Sequence, residues 1–262
     1  MNPIKGLILD LDGTVCRGEE VIPSAPQAIA AMRAMGMRII FLSNTIDSQI
    51  QYAARLERFG IDILPEDIIQ APLVLIRYLE NEMPQATIFA IGEAPLLEAL
   101  GEHFKLSEDP ALIDVVVASF DRGFDYHKLT IGFQALKRGA RFLATNVDAT
   151  FPLPEGELPD AAAVIAALEA CSKRQLELNV GKPSPLMLEA AMERLDLEAA
   201  DLLLVGDRLE TDILMGINAG IRTVLVLTGA SQRTDLEQSQ LKPDAVLDSI
   251  AELPGWIRSL MN

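Results

Sequence analysis

Two aspartates stand two residues apart in the run Ile8-Leu9-Asp10-Leu11-Asp12-Gly13-Thr14-Val15, at the end of a short apolar stretch. Carboxylates held this close repel one another unless a cation or a proton lies between them. Such a pair can divide a reaction, one acid attacking as a nucleophile and the other moving a proton, or it can join in holding a metal. The plainer reading is a strand that ends in an Asp-Gly turn. A calcium loop is excluded, because counting from Asp10 the position that requires glycine holds Val15 and the twelfth holds Val21.

A second acidic strand end occurs at Leu202-Leu203-Leu204-Val205-Gly206-Asp207, with Asp212 following on an amphipathic segment. Alone, Asp212 reads as a complement to a helix N-terminus. Two acidic strand ends in one sheet, in a chain with 2 His and 2 Cys, point to a hard divalent cation in oxygen ligands, magnesium rather than zinc. In Phe41-Leu42-Ser43-Asn44-Thr45 a strand delivers small hydroxyl and amide donors that suit phosphate oxygens, although Ser43 reads equally as a helix cap. In Gly181-Lys182-Pro183-Ser184-Pro185 the flanking residues fix the backbone around a lysine. Lysines are commonly solvated surface charges, but a sheet that gathers several acids needs a cation. The Walker pattern fails because Leu176 stands where glycine is required, and no G-x-G-x-x-G follows a strand.

These residues need a scaffold that presents strand ends. Apolar runs at 7–9, 38–42, 87–91, 114–118, 141–144, 202–205 and 223–227 predict buried parallel strands. Helical patterns alternate with them: Ser24 and Pro26 open a helix over 27–35 with Gly36 after it, and Ser184 and Pro185 open one over 186–195. Strand and helix in alternation give an α/β fold. At roughly 150 residues per domain, 262 residues make about two domains, with proline-marked seams near 65–72 and 183–185. The formal charge of −16 argues against nucleic acid and anionic membrane surfaces as partners. Cys16 and Cys171 are too few and too far apart for a disulfide framework, and the apolar N-terminal run is broken by Asp10 and Asp12 before a signal-peptide core forms. A soluble cytoplasmic protein is therefore expected. His127 reads as a surface or packing residue, His103 has no assignable role, and the 9 Met read as core filler.

Taken in order, the four segments resemble the haloacid dehalogenase superfamily of phosphohydrolases: ILDLDGTV its first motif, FLSNT its second, GKP its third and GDRLETDI its fourth. The domain-length stretch between Ser43 and Lys182 resembles an inserted cap of the second type, and FLATNVDATFPLPEG at 142–156 resembles the NagD-like and 4-nitrophenylphosphatase-like subgroup. Leu158-Pro159-Asp160-Ala161 departs from the Pro-Gly and small-residue run common in that subgroup. The resemblance implies a Rossmann-like parallel-sheet core formed by 1–71 and 181–262, with an α/β cap at 72–180. It implies hydrolysis of small phosphorylated metabolites, with Asp10 as nucleophile and Asp12 as general acid and base. It further implies Mg²⁺ held by Asp10, the Asp12 backbone carbonyl and Asp207, with Asp212 just outside, and phosphate oxygens gripped by Ser43, the Asn44 backbone and Lys182. Asn146 and Asp148, in a loop after a cap strand, are expected to contact substrate or else to form a turn. The assembly stays open between a single chain and a homodimer paired through the cap. The competing readings are a phospho-acceptor switch of the receiver type, which lacks an acid at the Asp12 position and an inserted domain, and a phosphotransferase or mutase without net hydrolysis.

Overall fold

The computed structural model describes residues 3–153 and 156–261, and they divide into two compact units. The first contains residues up to Ser43, Gln49–Ile69 and Pro183 onward, and the second contains Asn44–Ser48 and Gln70–Lys182. Pro154 and Glu155, inside the segment 142–156, lie outside the described residues.

In the first unit, six strands lie in the order Ile68–Gln70, Arg38–Ser43, Gly6–Asp10, Leu202–Gly206, Arg222–Val226, Ala245–Leu247. Numbered along the chain this is 3-2-1-4-5-6, the doubly wound order whose switch point falls between the first and fourth strands. Gly6–Asp10 pairs in parallel with both neighbours, Leu7 facing Leu203 on one side and Ile39 on the other. All five of its residues are buried, so a continuous apolar run is what this position demands. Ile29, Met32, Tyr52, Leu56 and Ile257 close one face over Leu7, Leu9, Phe41 and Val205.

The second unit is built on another parallel sheet, ordered Leu178–Asn179, Arg141–Ala144, Val115–Ala118, Thr87–Ile91, Lys105–Leu106. Numbered along the chain and read from the Lys105–Leu106 edge this is 2-1-3-4-5, also doubly wound, with its switch point between Thr87–Ile91 and Val115–Ala118. The helices Tyr126–Lys137 and Ala161–Ser172 cover one face, where Gly132 lets them approach: a Cβ there would lie 2.9 Å from Leu168 Cδ2. The hairpin Thr150–Leu153 with Gly156–Pro159 stands apart from the sheet.

Each of the seven apolar runs forms a strand. The short strands Ile68–Gln70, Lys105–Leu106, Leu178–Asn179 and Ala245–Leu247 carry too few residues for a readable period. Ser184 caps its helix through Leu186 N–H at 3.4 Å. Ser24 does not cap: it is helical itself, and its hydroxyl lies 3.2 Å from that of Ser249. Pro26 in the first turn has no N–H to satisfy, which lowers the demand for a cap there. Among the described residues, no helix is long and apolar enough to cross a membrane.

Candidate active site

The carboxyl ends of the first and fourth strands of the first unit place three acids together. Asp10, Asp207 and Asp212 are all buried, and each offers an oxygen such that the three lie within 4.8 Å of one another. Glycines make the room. A Cβ on Gly13 or Gly229 would overlap the Asp207 carboxylate, and one on Gly206 would overlap that of Asp212. Gly13 has a second reason to be glycine, its φ of +100°. The turn it belongs to is wound tightly around the Leu11 carbonyl, which accepts from the N–H groups of Thr14, Val15 and Cys16 at 3.2, 2.8 and 3.0 Å.

Asp207 is oriented by a segment that the motif reading passed over. After the strand Arg222–Val226, the Ala230 N–H donates to Asp207 Oδ2 at 2.6 Å, and the Ser231 N–H donates to the Asp207 carbonyl at 3.0 Å. The same segment is tied to the first turn: Thr228 Oγ1 donates to the Gly13 carbonyl at 2.6 Å, and the Arg17 guanidinium donates to the Thr228 carbonyl. Asp212, in the π-helical turn Leu209–Ile213, accepts from the Arg208 N–H at 3.2 Å, so the backbone complement expected of it is present as well. The rule that binding loops follow strand ends, applied to the run 223–227, is the signal that would have found Thr228, Gly229 and Ala230.

Three buried carboxylates at this spacing fit a hard divalent cation. Without one, their mutual repulsion at low dielectric is large, and an all-oxygen set is the donor chemistry that magnesium prefers. The Asp12 side chain is not part of this cluster. It faces Tyr52, whose hydroxyl donates to Asp12 Oδ2 at 2.9 Å, and Cys16, whose sulfur is 3.8 Å from Asp12 Oδ1. Burial, followed by the Asp12 charge, pushes the Cys16 thiol up to about 12. The same causes in the same order raise Tyr52 well above the ordinary phenol value, so both groups remain protonated donors. Ser43 is buried at the end of its strand, in the same unit.

The remaining predicted residues assemble in the second unit. Asn44 donates through Nδ2 to Asp148 Oδ2 at 2.8 Å and accepts at Oδ1 from the Lys182 N–H at 2.8 Å. Lys182 is buried, and Gly181 before it packs against the Thr145 carbonyl and Asn44, where a Cβ would meet Asn44 Oδ1 at 2.7 Å. Asn179 holds this turn from below, accepting from the Gly181 N–H at 3.1 Å and donating to its carbonyl at 2.9 Å. Asn146 is buried, and its Oδ1 accepts from the Asp148 N–H at 2.9 Å, so the turn anticipated for this pair is present. His127 is exposed with Nε2 3.8 Å from Glu108, and His103 bonds Glu80 at 2.8 Å.

A doubly wound sheet with a carboxylate cluster at its switch point places the site where such folds bind their ligands. Comparison with known proteins makes this specific. The family described as haloacid dehalogenase-like hydrolase matches residues 7–103, and the related HAD-hydrolase-like family matches residues 179–253. The chain is 38% identical over 250 residues to the sugar-phosphatase AraL of Bacillus subtilis, covering 95% of this chain and 91% of that one. Among solved structures it is similar to a p-nitrophenyl phosphatase from Archaeoglobus fulgidus, with TM-score 0.91 and 32% identity over 97% of this chain and 100% of that one. NagD from E. coli K-12 gives TM-score 0.87 and 27% identity over 96% and 98% of the two chains. The chain belongs to the haloacid dehalogenase-like hydrolases, in their NagD-like and 4-nitrophenylphosphatase-like group. It is an enzyme of the phosphoric monoester hydrolase class.

Proposed function

We propose that this phosphatase hydrolyses small phosphate monoesters, sugar phosphates foremost, with Mg²⁺ and through an aspartyl-phosphate on Asp10. The observation that carries the reading is the cluster of three buried carboxylates at the switch point, two residues from a fourth acid, Asp12, that lies outside it. Sugar phosphates are chosen because the relative of 38% identity is named a sugar-phosphatase.

In the first step an Asp10 oxygen attacks phosphorus, forming the acyl-phosphate bond while the bond to the leaving oxygen breaks and Asp12 gives that oxygen its proton. In the second step Asp12 takes a proton from water as the water oxygen attacks phosphorus, and the bond to Asp10 breaks. Net hydrolysis depends on this second role, and an acid at position 12 is what separates this site from a receiver. Magnesium, when bound by Asp10, the Asp12 backbone carbonyl and Asp207 with Asp212 beside them, supplies charge neutralisation at the transferring oxygens. Ser43, the Asn44 backbone and Lys182 would hold the other phosphate oxygens. Residues 72–180 serve in this reading as the cap, with Asn146 and Asp148 on the loop that meets the leaving group.

The test is a purified-protein screen with p-nitrophenyl phosphate, sugar phosphates and nucleoside monophosphates, run with chelator and then with Mg²⁺ restored. Activity should vanish with chelator, return with Mg²⁺, and favour sugar phosphates over nucleotides. Full turnover by metal-free enzyme would overturn the mechanism, and a preference for nucleotides would overturn the substrate class alone.

A further inference from the structure

We infer that Tyr52 is a positioning residue for the Asp12 carboxyl group, fixing its orientation for proton transfer to the leaving group. The inference rests on the reading of Asp12 as general acid and base. Tyr52 lies on the helix Gln49–Arg58, far in sequence from Asp12, is 2% exposed, and donates to Asp12 Oδ2 at 2.9 Å. Its ring is fixed from outside by Arg55, whose guanidinium carbon stands 3.8 Å from the ring centroid, and Arg55 is held in turn by Glu19 Oε1 at 3.3 Å. The Cys16 sulfur stands 3.8 Å from both Tyr52 Oη and Asp12 Oδ1, a long contact for a weak donor.

A carboxylic acid has one proton and two oxygens. A hydroxyl that donates to Oδ2 makes that oxygen an acceptor and fixes the plane of the carboxyl group. Proton transfer to a leaving group needs the donor within hydrogen-bond reach and in one orientation. A buried, stacked tyrosine supplies that orientation without adding a charge. Fixing the carboxyl rotamer should matter in proportion to how much the leaving group needs a proton, and this separates positioning from mere packing.

The experiment compares two aryl esters in wild type and Tyr52→Phe, which removes one oxygen and keeps the ring. Phenyl phosphate releases a phenolate whose conjugate acid has a pKa of about 10, whereas p-nitrophenolate leaves without a proton. Phosphorylation rates are read as single-turnover product release per active site, so that any loss of folded enzyme drops out. Tyr52→Phe should slow phenyl phosphate about tenfold or more while slowing the p-nitrophenyl ester less than about threefold, with KM little changed. Combining Tyr52→Phe with Asp12→Asn should add nothing on phenyl phosphate to the loss from Asp12→Asn alone, because the group to be positioned has lost its proton. Equal loss on the two esters, no loss on either, or additive losses would each overturn the positioning role. Wild-type speed in Asp12→Asn would instead overturn the acid and base reading on which the inference rests.

Discussion

The two units are built alike and finished differently. Each is a parallel, doubly wound sheet with loops at the carboxyl ends of its strands, yet the first gathers like charges there and the second pairs opposite ones. At the switch point of the first unit stand Asp10 and Asp207, with Asp212 beside them. At that of the second, Glu93 takes a two-pronged bond from Arg122, Nε to Oε1 at 2.5 Å and a terminal nitrogen to Oε2 at 2.8 Å. Beside it, Lys128 meets Asp121 at 2.6 Å and the hydroxyls of Ser119 and Thr145 bond at 2.7 Å. Buried like charges need a cation or a proton between them, while internal pairs satisfy one another. The first unit is therefore arranged for chemistry. The switch point of the second holds its loops in place.

If that contrast is right, the largest effect of any single change lies in the first unit. Asp10→Asn keeps the shape of the side chain but cannot attack phosphorus. Turnover of p-nitrophenyl phosphate should fall by at least about 10⁴-fold, on the scale seen when other nucleophiles are removed, with the melting profile preserved. Residual activity within tenfold of wild type would mean that the nucleophile lies elsewhere.

The next effect sharpens the contrast, because it strikes the cluster without removing an acid. Gly229→Ala places a methyl group where the Asp207 carboxylate stands, and Asp207 must turn from its bond to the Ala230 N–H. Loss of an orienting partner beside metal ligands weakens metal binding by about 10–100-fold. Titration calorimetry of Mg²⁺ against the variant should show that weakening, with Lys182 and the second unit untouched. Unchanged affinity would mean that the 228–231 segment does not orient Asp207.

Much of this was legible in the chain and some was not. The strands 6–10, 38–43 and 202–206 were readable because burial on both faces demands uninterrupted apolar runs, and the acids were readable because a charge at the end of such a run is unusual. Two kinds of feature stayed hidden. Tyr52 sits inside an ordinary amphipathic helix, and nothing local says that its hydroxyl meets Asp12, since the bond depends on how two distant segments pack. The strand end at 223–227 marks the loop that holds Gly229, but only the position of the Asp207 side chain shows why a Cβ cannot stand there. Strand ends, where chemistry collects, announce themselves in sequence. The residues that aim them act across the fold and do not.

The smallest effect belongs to the paired surface of the second unit and concerns its response to acid. Arg122 holds the Glu93 carboxyl below the ordinary glutamate value, chiefly by its side-chain hydrogen bonds and further by its backbone N–H at 3.3 Å and its charge, against the opposing effect of burial. A carboxyl whose value is lowered on folding contributes stability above its unfolded value, and that contribution is lost as pH falls through the folded one. For Glu93 the loss begins below about 4.3, the ordinary glutamate value. Arg122 is exposed, so the contribution is small, and solvent screens it further. Glu93→Gln keeps an acceptor and removes the charge. Its melting temperature should lie slightly below that of wild type near neutral pH and converge with it on acidification, while kcat on p-nitrophenyl phosphate stays unchanged. A gap that widens as the pH falls would reverse the sign and mean that Glu93 is held protonated, and a fall in kcat would place this pair in the chemistry instead of the scaffold.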